Sequence, residues 1–214
     1  LISWLGEVLQ ESSQYRRQAK SIHWLLGLDR ERRYLLLFPN NKEERNWGGF
    51  SGTYGELKIR GTNYSFFNRD IYYLDFLLRG HGELKKPPQA DKIPYFLRPD
   101  EKVFPESEWD WFVLRNTATS LDFKLNAQRA LWVYEHIHKQ GRADGLIAFT
   151  PDLVIDILRI LGPIQVPEHQ VSLSAENFRE VIEYKVEVDN PFKKGDRTKD
   201  PKQILRDLAP RLLE

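Results

Sequence analysis

YLLLFPNNKEERNWGGFSGTYGELKI, residues 34–59, holds two strands around one unusual loop. The run Leu35-Leu36-Leu37-Phe38 has no polar alternation, the pattern of a strand covered on both faces. Pro39 ends it, because proline removes a ladder donor. Residues 53–61, TYGELKIRG, alternate and close on Gly61, so they read as a second strand. Between the two stand Asn40-Asn41, a charged stretch, and glycines at 48, 49, 52 and 55. Glycine permits close backbone approach. Two readings follow. The loop can cradle an anion, with backbone N–H groups and the Arg45 fork as donors. Equally, Glu44 and Arg45 can pair with core-facing groups while Gly48 and Gly49 only shape a tight strand entry.

Outward from this stretch, NYSFFN (63–68) predicts a third strand, reached through the turn IRGTN. DIYYLDFLLRG predicts a short helix or extended turn. Residues 80–108 carry five prolines and no regular pattern, which predicts a functional lid or mobile connector. Residues 1–27 predict a helix, with Ile2, Leu5, Val8 and Leu9, then Ile22, Leu25 and Leu26, at helical spacing. Residues 122–140 predict another, with Leu125, Ala130, Leu131, Val133, Tyr134 and Ile137 inward. DGLIAF (144–149) is a buried strand. Thr150 caps the next helix, with Pro151 at its first position, and Leu161-Gly162-Pro163 stops it. IQVPEHQVSL makes short strands. Ser174 opens a helix through Glu183, and Asp200, with Gln203 three residues on, caps the last one. Strands and helices interleave, so the class is α/β, a mixed β-sheet flanked by helices. The organisation is an N-terminal helix, 1–29, and a single α/β domain, 30–214.

Composition narrows the function. Hydrophobic residues are 41% and aromatic residues 13%, enough for a sizeable core. The net charge of +1 argues against nucleic acid, which calls for a basic face. There is no cysteine, hence no disulfide or thiolate metal site. His23, His81, His136, His138 and His169 lack metal-ligand spacing. No serine-nucleophile elbow or Walker-type loop is present.

Residues 34–59, together with DGLIAFTPDLVIDILRILGPIQVP, resemble a bacterial domain-of-unknown-function family, number 4012. There a strand ends in an Asn-Asn-x-Glu-x-Arg-x-x-Gly-Gly-Phe motif, and Asp-Gly-[VLI]-Ile-Ala, a capped helix and Leu-x-Gly-Pro come later. More distantly, NYSFFNRDIYYL, the DGLIAF-to-IQV unit and KKGDRTKDPKQIL are similar to segments of the LytR–CpsA–Psr family. That resemblance implies a three-layer sandwich on the outer face of the bacterial membrane, with an anchor expected upstream of Leu1. It also implies cell-wall phosphotransferase chemistry: a glycopolymer moved from a polyprenyl-pyrophosphate carrier, with Mg²⁺. Asn41 stands where those relatives carry an aspartate, and Gly48-Gly49-Phe50 where they carry Arg-Ser-Asp. Mg²⁺ prefers anionic oxygens, so Asn41 favours the alternative of a non-catalytic envelope module. Such a module would bind an anionic glycan, a lipid phosphate or a protein partner.

The candidate residues follow. Arg45, Arg69, Arg115, Arg197 and Lys202 would neutralise phosphate, with Asn41, Glu44, Gly48 and Gly49 at the same site. Asp70 and Asp122 would hold Mg²⁺ or take the acceptor proton, with Arg45 beside them as catalytic groups. Against this, Asp70 and Asp122 are also ordinary helix caps. Trp109, Trp111, Tyr95 and Phe96 could stack on sugar rings or shield a lipid chain, or simply anchor loops.

Overall fold

The computed structural model describes residues 2–43, 48–71, 74, 113–189, 200 and 202–212. Its centre is a four-stranded mixed sheet in the order β3-β2-β1-β4. β1 (Arg32–Asn40) pairs antiparallel with β2 (Phe50–Arg60), and β2 antiparallel with β3 (Asn63–Asp70). On its other edge β1 runs parallel to β4 (Gly145–Ala148). The apolar run of β1 is buried from Tyr34 to Leu37, as a strand inside a mixed sheet must be. Pro39 does not end the strand. The ladder shifts register between Leu37 and Pro39, then resumes with Pro39 opposite Ser51 and Asn40 opposite Phe50. The extra residue is on β2, where Gly52 and Thr53 stand opposite Phe38, a bulge next to the proline.

Helix α1 (Ile2–Leu25) ends against the far end of this sheet. Gly27 closes it in a left-handed turn, φ +63°, with Gly27 N–H on Trp24 O and Leu28 N–H on His23 O, the Schellman pattern. A Cβ on Gly27 would lie 2.5 Å from Ile59 O, so the helix end fits only with glycine there. Helix α2 (Phe123–Trp132) continues as a π-turn, Val133–Ile137. Ala130, Val133, Tyr134 and Ile137 are buried with Leu35, Leu37 and Tyr54, and Leu125 and Leu131 pack on that cluster. The helix ends at Ile137, three residues before the expected Gln140, and Lys139 adopts a left-handed conformation.

A second core lies to the C-terminal side. It joins Ile155 and Leu158 of α3 (Pro151–Leu161), Val166 of β5 (Ile164–Val166), Leu173 of β6 (Val171–Leu173), Phe178 of α4 (Phe178–Glu183), and Ile204 and Leu208 of α5 (Gln203–Arg211). β5 and β6 form a separate antiparallel hairpin. Ser174 opens a turn rather than the helix itself, and α4 starts at Phe178 and runs into a π-turn, Tyr184–Val188. Thr150 caps α3 by position only. Its hydroxyl turns to Asp152 Oδ2, 3.3 Å away, instead of to the backbone. Asp200 is not the cap: the N-cap of α5 is Lys202, two residues on, and Asp200 accepts from Lys202 N–H at 2.7 Å before the helix begins.

Two ion-pair groups brace the sheet. Arg33, the Tyr134 hydroxyl (2.9 Å) and Lys58 (3.5 Å) all address the buried carboxylate of Glu56. Burial, then the neighbouring Glu56, pushes the Tyr134 phenol above its ordinary pKa, so it stays protonated and donates. At the other end Asp144 accepts from Arg30 and from the backbone N–H of Arg33 at 3.0 Å. The Arg30 hydrogen bond, above all, holds the Asp144 carboxyl below the usual carboxylate range.

Candidate functional site

A cavity of about 560 Å³ opens where β1 and β4 end and α3 and α4 begin. Ligands of α/β sheets gather beyond the carboxyl ends of strands, and the volume is in the range of small-molecule sites. The register shift is part of its construction: Gly52 and Thr53 of β2 stand opposite the single residue Phe38 of β1. Phe38 falls at the register shift and meets Phe149 edge-to-face, with centroids 4.5 Å apart. With Phe50, Val154, Phe178 and Leu205 these rings give the cavity an apolar lining. The π-turn after α4 adds Val186 and Glu187; such turns widen a helix and are frequent at functional sites.

Three cations line the same space: Lys42, Arg179 and Lys202. Lys202 is aimed from the start of α5, where Asp200 holds both its own N–H and the Arg206 guanidinium. Its ammonium donates to Gly52 O, and a Cβ at residue 52 would stand 3.1 Å from it, so glycine makes that approach possible. Lys42 lies 3.6 Å from Glu183 across the opening. Arg179 is fixed in a ring of three side chains. Its Nη1 donates to Asn41 Oδ1 at 3.1 Å, its Nη2 donates to Asp152, and Asn41 Nδ2 closes the ring on Asp152. The Arg179 hydrogen bond is the main reason the Asp152 carboxyl lies below its ordinary pKa, so it is ionised at neutral pH.

The predicted residues divide as follows. Asn41 lies in the Arg179 ring, and Lys202 lines the cavity. Gly48 and Gly49 carry φ of +102° and +126°. A Cβ on Gly49 would overlap Asn40 O at 2.0 Å, so this glycine is required by the β1–β2 turn itself. Arg69 leaves β3 beside the Phe67 ring, 5.8 Å from its centroid. Arg115 sits in a 3₁₀ turn, Leu114–Asn116. Neither is among the described cavity-lining residues. Asp122 caps α2, accepting from Lys124 N–H at 2.8 Å and from Leu125 N–H at 3.4 Å. Buried Asn126 braces the same loop through Ser120 N–H and O.

Glu44, Arg45, Arg197, the side chain of Asp70, the proline-rich segment 80–108 and the aromatics Tyr95, Phe96, Trp109 and Trp111 lie outside the described residues. Among the described residues no cluster of three or more His, Asp or Glu is disposed to hold a metal, and no helix is long and apolar enough to cross a membrane.

Arg179 and Asp152 carry the site's geometry and were not singled out by sequence. Asp152 follows Thr-Pro at a helix start, where an acid is routine. Arg179 is 138 residues from Asn41 and has no local pattern to betray it.

The architecture therefore defines an α/β domain with a cavity at the carboxyl ends of its parallel strand pair, apolar within and lined also by the cations Lys42, Arg179 and Lys202 and the carboxylates Glu43, Glu183 and Glu187. The chain belongs to the family described as Protein of unknown function (DUF4012), whose model matches residues 29–186. No curated protein and no solved structure matches it.

Proposed function

We propose that this domain binds an amphipathic anion, a prenyl chain carrying a phosphate, and serves cell-envelope glycopolymer assembly on the outer face of a bacterial membrane. The observation that carries this is the pairing of an apolar cavity with Lys42, Arg179 and Lys202 in one lining. The prenyl chain would lie against Phe38, Phe50, Phe149 and Phe178. The phosphate would take the ammonium of Lys202 and the Arg179 fork, which suits phosphate oxygens bidentately. The distant likeness to LytR–CpsA–Psr proteins supplies the glycopolymer setting, and fold-level likeness alone does not supply activity.

A second reading, phosphoryl transfer, draws on one specific feature. Asn41 replaces a carboxylate of the relatives, yet Asp152 is hydrogen-bonded to it and is ionised. A hard anionic oxygen is thus present beside the same strand end, as Mg²⁺ chemistry would need.

Calorimetric titration with farnesyl phosphate, farnesol and inorganic phosphate, with and without Mg²⁺, tests both readings. Farnesyl phosphate is expected to bind more tightly than either fragment. Lys202→Ala should weaken it about tenfold, the value of one charge-assisted hydrogen bond of ~1.5 kcal/mol. Equal affinity for the alcohol and the phosphate, or no uptake of either, sinks the proposal. Binding that requires Mg²⁺ and fails in Asp152→Asn favours transfer over simple binding.

A further inference from the structure

Each cation in the cavity wall already meets an acceptor of its own. Arg179 Nη1 donates to Asn41 Oδ1 at 3.1 Å and Nη2 to Asp152, and Asn41 Nδ2 closes on the same carboxylate. Asp152 is ionised at neutral pH, chiefly because of the Arg179 hydrogen bond, so a fixed negative charge stands against the guanidinium. The Lys42 ammonium lies 3.6 Å from Glu183. The Lys202 ammonium donates to the neutral carbonyl of Gly52.

Carboxylates are built into the same wall. Glu43, Glu183 and Glu187 line it beside the cations. Glu43 is fixed in the β1–β2 turn. Its Oε1 accepts from Asn40 Nδ2 at 2.9 Å, its N–H donates to Asn40 O at 3.1 Å, and its carbonyl accepts from Phe50 N–H at 3.2 Å. Glu183 ends α4, and the π-turn that follows carries Glu187 into the lining. A wall of mixed sign ranks anions by how much charge they bring.

Asn41 and Asp152 take two of the five N–H donors of Arg179. A singly charged phosphate can therefore join the guanidinium and Lys202 while Asp152 keeps its bond. A second or third negative charge must draw Arg179 from Asp152 or Lys42 from Glu183, and then lies beside the carboxylate it has displaced. Like charges brought together in a site oppose binding and exclude the wrong partner. Building on the reading that the cavity takes a prenyl phosphate, we infer that Asp152, Glu43, Glu183 and Glu187 make it selective for a phosphodiester head group, with one negative charge, over a diphosphate. The chemical class is a prenyl chain joined through one phosphate to a second alcohol, such as a sugar.

Calorimetric titration without Mg²⁺, using farnesyl methyl phosphate, farnesyl phosphate and farnesyl diphosphate, holds the chain constant and raises the head-group charge. Farnesol is the uncharged reference. At low ionic strength the diester should bind about tenfold more tightly than the diphosphate, about 1.4 kcal/mol, with the monoester between them. The gap should shrink in salt, because Lys42, Glu183 and Asp152 all reach solvent. Glu43→Gln with Glu183→Gln should close most of it by raising affinity for the diphosphate, whereas Glu183→Asp, which keeps the charge, should preserve it. A diphosphate that binds as tightly as the diester overturns this inference and leaves the prenyl-phosphate reading standing. So does a gap that the two glutamine substitutions leave untouched. If no phosphate binds better than farnesol, the prenyl-phosphate reading falls and this inference with it.

Discussion

Removing either partner of the Arg33–Glu56 pair should destabilise the sheet, and removing both should cost less than the sum. The Glu56 side chain is 6% exposed and Arg33 24% exposed. Breaking a buried pair typically costs 3–5 kcal/mol, because it leaves one charge uncompensated. The two partners are not equally stranded. Glu56→Gln leaves Arg33, which water can still reach, so about 2 kcal/mol is expected, below the fully buried range. Arg33→Met leaves the deeper carboxylate with Tyr134 and Lys58 as remaining partners, and about 3 kcal/mol is expected. For a chain of this size those losses lower Tm by roughly 4–12 °C. The assay is urea unfolding of both single variants and the double variant, followed by tryptophan fluorescence. The double variant should recover at least ~1 kcal/mol of the summed loss, since contacting residues couple. Additivity within ~0.5 kcal/mol would refute the pairing as a coupled unit. So would single losses no larger than those of surface substitutions.

Three further outcomes are expected. Gly27→Ala forces a Cβ to within 2.5 Å of Ile59 O at a positive φ, so it should cost about 2 kcal/mol or more in thermal unfolding; an unchanged Tm would show that the helix end is not seated as described. The lowered pKa of Asp144 makes its ion pair with Arg30 a pH-dependent stabiliser. That contribution is complete above the unfolded carboxylate value of ~3.9 and is lost as pH falls through the depressed folded value, so Asp144→Asn should flatten the acid limb of stability measured between neutral pH and pH ~3. Asp152→Asn removes the charge that holds Arg179 and should tighten farnesyl phosphate binding several-fold if Arg179 is a phosphate ligand; weaker binding with no Mg²⁺ dependence would contradict that role.

Much of this fold could be read before any coordinates. β1 was legible because four successive apolar residues have no polar face, and the start of α3 because Thr-Pro is a helix opening whatever surrounds it. The Gly48-Gly49 turn was legible as a constraint on the backbone. Its purpose was not, since the same residues suit an anion loop. Other features escaped for physical reasons. The π-turns at 133–137 and 184–188 break the 3.6 period on which helix boundaries are judged. Pro39 remained in the ladder, where the pairing shifts register by one residue between Leu37 and Pro39 and then resumes. Asp152 pairs with Arg179 and Asn41 only after the strand end and two helices have met. No window of sequence contains such an encounter.

The placement of β1 between β2 and β4 has a consequence for how the chain is made. Its antiparallel neighbour follows almost at once, while its parallel neighbour, Gly145–Ala148, emerges more than a hundred residues later. During synthesis the hairpin and third strand can form while one edge of β1, rich in leucine, has no companion. Closing so long an interval is slow, and an open apolar edge invites pairing between nascent chains. The protein should therefore be most prone to aggregate on the ribosome, before the strand at Gly145 arrives to cover that edge.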